Sequence, residues 1–243
     1  MVKGSENDAF MSYTVLDDRT KNLYAVHEFE GEVGKDFDGE ATVSRWKLSE
    51  KMTTIDKKQV SRKCYTITQR LYHNAASFSK IEINYRATLQ VVSAKGKGPA
   101  HIALSKEHNV IIVSNYSSGG IVMYGIDPAT GEIGEKPLYV ESYEKGSGAD
   151  PDRQEAPHAH GAFFFKDNAY VADLGGDKIW HYAIKPDASN GAVSIERKGH
   201  LDLDPGLGPR HLAVDEPRNR DVMSPCSVKM PLMTVQMKQI PNK

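Results

Sequence analysis

The sequence predicts an all-β fold, a β-propeller built from four-stranded antiparallel blades, and three observations predict it. Short apolar runs with strand character alternate with tight polar turns. No long amphipathic helical pattern interrupts them. The run–turn–run unit also recurs along the chain, and an antiparallel meander repeating every ~50 residues is the signature of propeller blades.

The first unit is AFMSYTVLDDRTKNLYAVHEFEG, residues 9–31. The second is GPAHIALSKEHNVIIVSNYSSGGIVMYGIDPATGEIG, residues 98–134, and the third is PHAHGAFFFKDNAYVADLGGDKIWHYAIKPDASNG, residues 157–191. Each has an apolar strand, a polar turn and a second strand closing on Val plus a small or polar residue. The second and third units run on into a further strand, GIVMYGID and DKIWHYAIK. Ile111 and Val113 alternate with Ile112 and Ser114. Ile179, His181 and Ala183 alternate with Trp180, Tyr182 and Ile184, the period of two that a strand imposes. A fourth unit opens at GLGPRHLAVDEPRNR, residues 206–220. The expected organisation is one partial propeller domain: first blade 9–59, second blade 91–156, third blade 157–205, and the start of a fourth at 206–220.

Two stretches break the period. The aligned strand ends are His27, Asn115 and Asp173; by subtraction the gaps are 88 and 58 residues. Removing the 31 residues 60–90, VSRKCYTITQRLYHNAASFSKIEINYRATLQ, reduces the first gap to 57. This stretch leans basic and matches no other unit, so it reads as a non-repeat insert. Val-Ser can be encoded by GTAAGT and Leu-Gln by TTGCAG, the two ends of an intron, so a retained in-frame intron accounts for it. A surface loop is the alternative, since long insertions close at small entropic cost. The tail, residues 221–243, carries three prolines and four methionines with no strand alternation. It reads as a frameshifted or flexible end rather than the next strand of the fourth blade.

Composition narrows the function. The formal net charge is −1, so electrostatics favours neither nucleic acid nor a membrane surface as partner. The polar start MVKGSENDAF is not a signal peptide, and no apolar run reaches the ~20 residues of a membrane span. The two cysteines, Cys64 and Cys226, fit a reducing cytoplasm and lack the spacing of a zinc site. No metal and no cofactor are expected.

GPAHIALS…VSNYSSGGIVMYGIDPATGEIG, PHAHGAFFF…AYVADLGGDKIWHYAI and GLGPRHLAVDEPRN together resemble the seven-bladed β-propeller lactonases. This is the 6-phosphogluconolactonase type, which includes the fungal carboxymuconate cyclases. The resemblance is close over residues 91–220 and loose over 9–57. It implies an incomplete ring here, about three to four of seven blades. It also implies hydrolysis of a small sugar lactone of the pentose phosphate type; a lactonizing cyclase and a non-catalytic binding fragment are the alternatives. Such hydrolysis needs a base for water, donors for the oxyanion and a cation for the substrate's phosphate or carboxylate.

The starts of the inner strands would line the channel, which places His101, His158, His160, Arg210 and His211 there. The resemblance implies a channel His, an Arg from GPRH and a Glu at the end of the following strand. His158, His160 and Arg210 are therefore the catalytic candidates; His101, His211 and Arg210 are the substrate-binding candidates. Alternate residues of a strand share a face, so His158 and His160 are expected on one side. The Glu should lie sixteen positions after Arg210, where this chain has Cys226. Gly119-Gly120 and Gly175-Gly176 read as hairpin turns at positive φ rather than phosphate loops. Asp173 reads as a strand-end hydrogen-bond acceptor. Half a ring would leave blade edges facing water, so self-association through them is expected.

Overall fold

A computed structural model describes residues 11–27, 41–47, 88–186, 192–215, 220–225 and 233–235. No helix occurs among them. Four antiparallel sheets follow one another along the chain. The first joins β1 (Met11–Asp17), β2 (Asn22–His27), β3 (Thr42–Lys47) and β4 (Thr88–Ser93). The second joins β5 (Pro99–Ser105), β6 (Val110–Asn115), β7 (Gly120–Gly125) and β8 (Tyr139–Ser142). The third joins β9 (Ala159–Phe165), β10 (Asn168–Asp173), β11 (Lys178–Pro186) and β12 (Val193–Asp202). The fourth joins β13 (Pro209–Asp215), β14 (Arg220–Pro225) and β15 (Met233–Val235). Within each sheet neighbours in sequence are neighbours in space, the meander of a propeller blade.

The period of two explains how blades stack. Ile111 and Val113 of β6, with Val122 and Tyr124 of β7, pack against Tyr24, Val26 and Val43 of the first blade. Val110, Ile112, Ile121 and Met123 point the other way, onto Ala169, Val171, Tyr182 and Ile184 of the third. Both faces of the second blade are buried, so its central strands are apolar at nearly every position. A third cluster, Tyr170, Ala172 and Ile179, receives Leu212 from the fourth blade. The inner strands β1, β5, β9 and β13 consequently run side by side. Their channel ends and their outer turns form two opposite rims.

The boundaries differ from expectation at two places. Strand β4 begins at Thr88, inside the expected insert 60–90, and runs past the expected start of the second blade at 91. Pairing with β3 gives it a role: Thr42 faces Ser93 and Trp46 faces Thr88. Gln90 also bonds both backbone groups of Ile133, through Nε2 to the carbonyl (2.6 Å) and from the amide to Oε1 (2.8 Å). The rest of that stretch, with Cys64, lies outside the described residues. In the expected tail 221–243, β14 pairs with β13 and β15 with β14. Ladder bonds use backbone groups, so strands form there without side-chain alternation. Cys226 lies outside the described residues.

The glycine pairs also part from the reading of four positive-φ positions. Only Gly119 has one (φ +63). In the other turn the left-handed residue is Asp177 (φ 51). A Cβ on Gly175 would instead strike the carbonyl of Ala156, so that glycine is required by close approach rather than by φ.

Candidate functional site

Each inner strand carries the same irregularity. Met11 pairs with His27, but Tyr13 with Val26; Pro99 pairs with Asn115, but His101 with Ser114. Ala159 pairs with Asp173, but Ala162 with Val171; Pro209 pairs with Pro225, but His211 with Ser224. One extra residue is inserted near the start of every inner strand. A β-bulge of this kind breaks alternation and re-aims side chains. Superposing the four registers puts Ser12, Ala100, His160 and Arg210 at one position, and Tyr13, His101, Gly161 and His211 at the next. The bulge lets Arg210 and His211, adjacent in sequence, both reach His160.

The Arg210 Nε–H donates to His160 Nε2 at 2.6 Å. An arginine Nε is always a donor, so His160 Nε2 holds a lone pair and its ring proton sits on Nδ1. That Nδ1 is buried without a protein hydrogen-bond partner. Burial pushes the His160 pKa down to about 3, and the charge of the adjacent Arg210 guanidinium adds to it. The ring is therefore neutral at any physiological pH and accepts the guanidinium without repelling it. Arg210 itself is exposed. Gly161 permits this geometry, because a Cβ there would strike the Arg210 carbonyl and push β13 away.

The other candidates fall around this pair. The His211 ring meets His160 edge-on at 5.0 Å and His101 at 6.3 Å. The amide of Ala162 donates to His101 Nδ1 at 3.3 Å, which leaves the proton of the neutral His101 ring on Nε2. Tyr13 lies 4.1 Å from His101. His158 stacks on Tyr116 at 4.3 Å, and His160 meets the same ring edge-on at 6.0 Å, so the two histidines do lie near one another. Yet His158 is not set up as a base. Its Nδ1 faces the Tyr116 carbonyl (2.9 Å) and its Nε2 faces Glu155 Oε1 (3.1 Å), so both nitrogens are committed to acceptors. His160, with Nε2 engaged by Arg210, is not a base either.

Asp173 behaves as a strand-end acceptor. Its carboxylate takes the amides of His158 (2.9 Å) and Gly176 (3.0 Å) and the indole of Trp180 (3.3 Å). Burial raises its pKa, and these donors hold it back. The aligned Asn115 serves the same place by donating to the Ala94 carbonyl at 2.8 Å. The channel group thus comprises Arg210, His160, His211 and His101, with Tyr13 and Tyr116 as aromatic walls. Sequence reasoning missed the two tyrosines; Tyr13 occupies the His101 position of the first repeat, which is the signal that could have found it.

Comparison with known proteins identifies the family. The model of the family described as lactonase, seven-bladed β-propeller, matches residues 53–222. A 6-phosphogluconolactonase of Formosa agariphila is 33% identical over 118 residues, 48% of this chain and 32% of the relative. The 6-phosphogluconolactonase of Bacillus subtilis strain 168 is 31% identical over 120 residues, 49% of this chain and 32% of the relative. The chain thus spans about a third of the length of these curated relatives. The structure of the periplasmic gluconolactonase of Pseudomonas aeruginosa superposes with a TM-score of 0.60 at 19% identity, covering 93% of this chain and 56% of that one. At that identity the likeness is one of fold.

Proposed function

We propose that this chain, which belongs to the seven-bladed β-propeller lactonase family, carries part of a site that hydrolyses a sugar lactone of the 6-phosphogluconolactone kind. The observation that supports this most is the exposed Arg210 guanidinium fixed by a buried, neutral His160 at the channel end of two adjacent inner strands. A planar, permanently charged fork suits a phosphate or carboxylate oxygen. Its orientation is set through Nε, which donates to His160. His160 acts as a positioning residue.

Water is the nucleophile in such a reaction. It adds to the lactone carbonyl, the ring C–O bond breaks, and the leaving alkoxide takes up a proton to give the open hydroxy acid. We assign water activation to His211, which is exposed and lies beside the Arg210–His160 pair. His101 Nε2–H is a neutral donor suited to the carbonyl oxygen as negative charge develops on it.

The test is hydrolysis of 6-phosphogluconolactone above its spontaneous rate. Arg210→Ala should raise KM at least tenfold, and His211→Gln should lower kcat with KM nearly unchanged. Equal activity of Arg210→Ala and the parent chain would overturn the assignment. A second reading, binding without turnover, is favoured by one observation: position 226, where the resemblance puts a glutamate, is cysteine. In that case 6-phosphogluconate binds, Arg210→Ala weakens it, and no hydrolysis is seen.

A further inference from the structure

We propose that the outer turns of the second and third blades form a divalent metal site, with His108, Asp167 and Glu107 as ligands and Zn2+ as the ion that fits. The turns follow β5 and β9, so the site lies at the opposite rim from the channel group. Its three side chains each bring one ligand atom, and those atoms lie within 4.8 Å of one another. His108 is buried, whereas Glu107 and Asp167 are exposed. His108 Nε2 is 3.1 Å from Asp167 Oδ1 and 3.2 Å from the Lys166 carbonyl oxygen. Zinc–nitrogen and zinc–oxygen bonds of about 2.0–2.2 Å separate tetrahedral ligands by roughly 3.3–3.5 Å. The His108–Asp167 pair stands close to that spacing, and the ion would replace the proton that His108 Nε2 shares with these oxygens.

Charge favours a cation at this place. Two carboxylates share a single imidazole, and the neighbouring cations are engaged elsewhere. Lys166 Nζ lies over the Phe165 ring at 5.1 Å. Lys106 Nζ pairs with Asp18 at 2.6 Å, and Arg19 is held by Asp17 and by the Lys106 carbonyl. Among the described residues no lysine or arginine pairs with Glu107 or Asp167. One imidazole with carboxylate oxygens suits a borderline transition ion better than Mg2+ or Ca2+, which take six or more oxygens. The imidazole is preset: His108 is buried, and the amide of the same residue is anchored to Ser105 Oγ at 3.2 Å. No spacing motif in the sequence announces the site, because His108 and Asp167 are 59 positions apart and meet only when the blades stack. Bound metal would clamp one blade to the next.

The experiment is titration of the metal-free full chain with ZnCl2 against a chromophoric chelator, with thermal unfolding in parallel. The expected result is one zinc per chain, a rise in Tm on saturation, and affinity at least about tenfold weaker in both His108→Gln and Asp167→Asn. Excess Mg2+ should not displace it. Asp167 is exposed, so Asp167→Asn leaves the fold intact and decides the matter even if His108→Gln does not fold. Absence of zinc binding overturns the proposal. So does binding that Asp167→Asn leaves unchanged, which would put the ion on the channel histidines instead.

Discussion

Replacing His160 by glutamine should change how stability depends on pH. In the native chain burial, aided by Arg210, holds the His160 pKa at about 3, whereas an unfolded histidine titrates near 6.5. Above pH 6.5 both states carry a neutral ring and the residue contributes no pH dependence. Below 6.5 the unfolded chain takes up a proton that the native chain refuses, so stability falls as pH falls, until pH reaches about 3. The slope approaches about 1.4 kcal/mol per pH unit well below pH 6.5, and the change sums to roughly 2.3 kcal/mol between pH 6.5 and 4.5. Glutamine can still accept from Arg210 Nε through its carbonyl oxygen but does not titrate. The assay is urea unfolding of parent and His160→Gln at several pH values, read as the difference between the two, which cancels every other titrating group. That difference should be flat from pH 7 to 8 and shift in favour of the variant below pH 6.5. A difference that stays constant to pH 4.5 would refute the neutral, buried assignment.

Substitutions at three further positions probe the frame around the site. Asp173→Ala strips the acceptor from two backbone amides and the Trp180 indole and should cost about 3 kcal/mol in urea unfolding, with Asp173→Asn costing less because one acceptor oxygen remains. Gly161→Ala drives a methyl into the Arg210 carbonyl and should lower stability by about 1–3 kcal/mol while weakening 6-phosphogluconate binding, because β13 must shift. Tyr182→Phe removes a buried hydroxyl that donates to Glu141 Oε2 at 2.9 Å and lies 3.1 Å from the Tyr143 hydroxyl; thermal unfolding should show a loss of about 1–2 kcal/mol.

The sequence reveals whatever depends on local pattern. The alternation of Ile111 and Val113 with Ile112 places β6 between two cores, and the repeat aligns His27, Asn115 and Asp173 at one register position, each buried and hydrogen-bonded. It conceals what depends on register. The single-residue bulge in each inner strand has no composition of its own, so adjacent Arg210 and His211 could not be seen to converge on His160, fifty positions away from Arg210. For the same reason the sequence could not show that His158 spends both nitrogens on the Tyr116 carbonyl and Glu155. Strand β4 was hidden because its partner, β3, precedes it by some forty residues of unrelated sequence. Gly175 looked like a turn glycine; only the packing of Ala156 against it shows the steric demand.

The most direct measurement is the tautomer and titration of the His160 ring, read from imidazole 15N shifts in the labelled full chain, with His160→Gln identifying the signals. An unprotonated Nε2 and a protonated Nδ1 that persist unchanged from pH 8 down to pH 4.5 are the result expected of a ring that positions Arg210. A proton on Nε2, or a titration near pH 6.5, would mean that Arg210 is not held there and that the proposed anion site does not exist in this form.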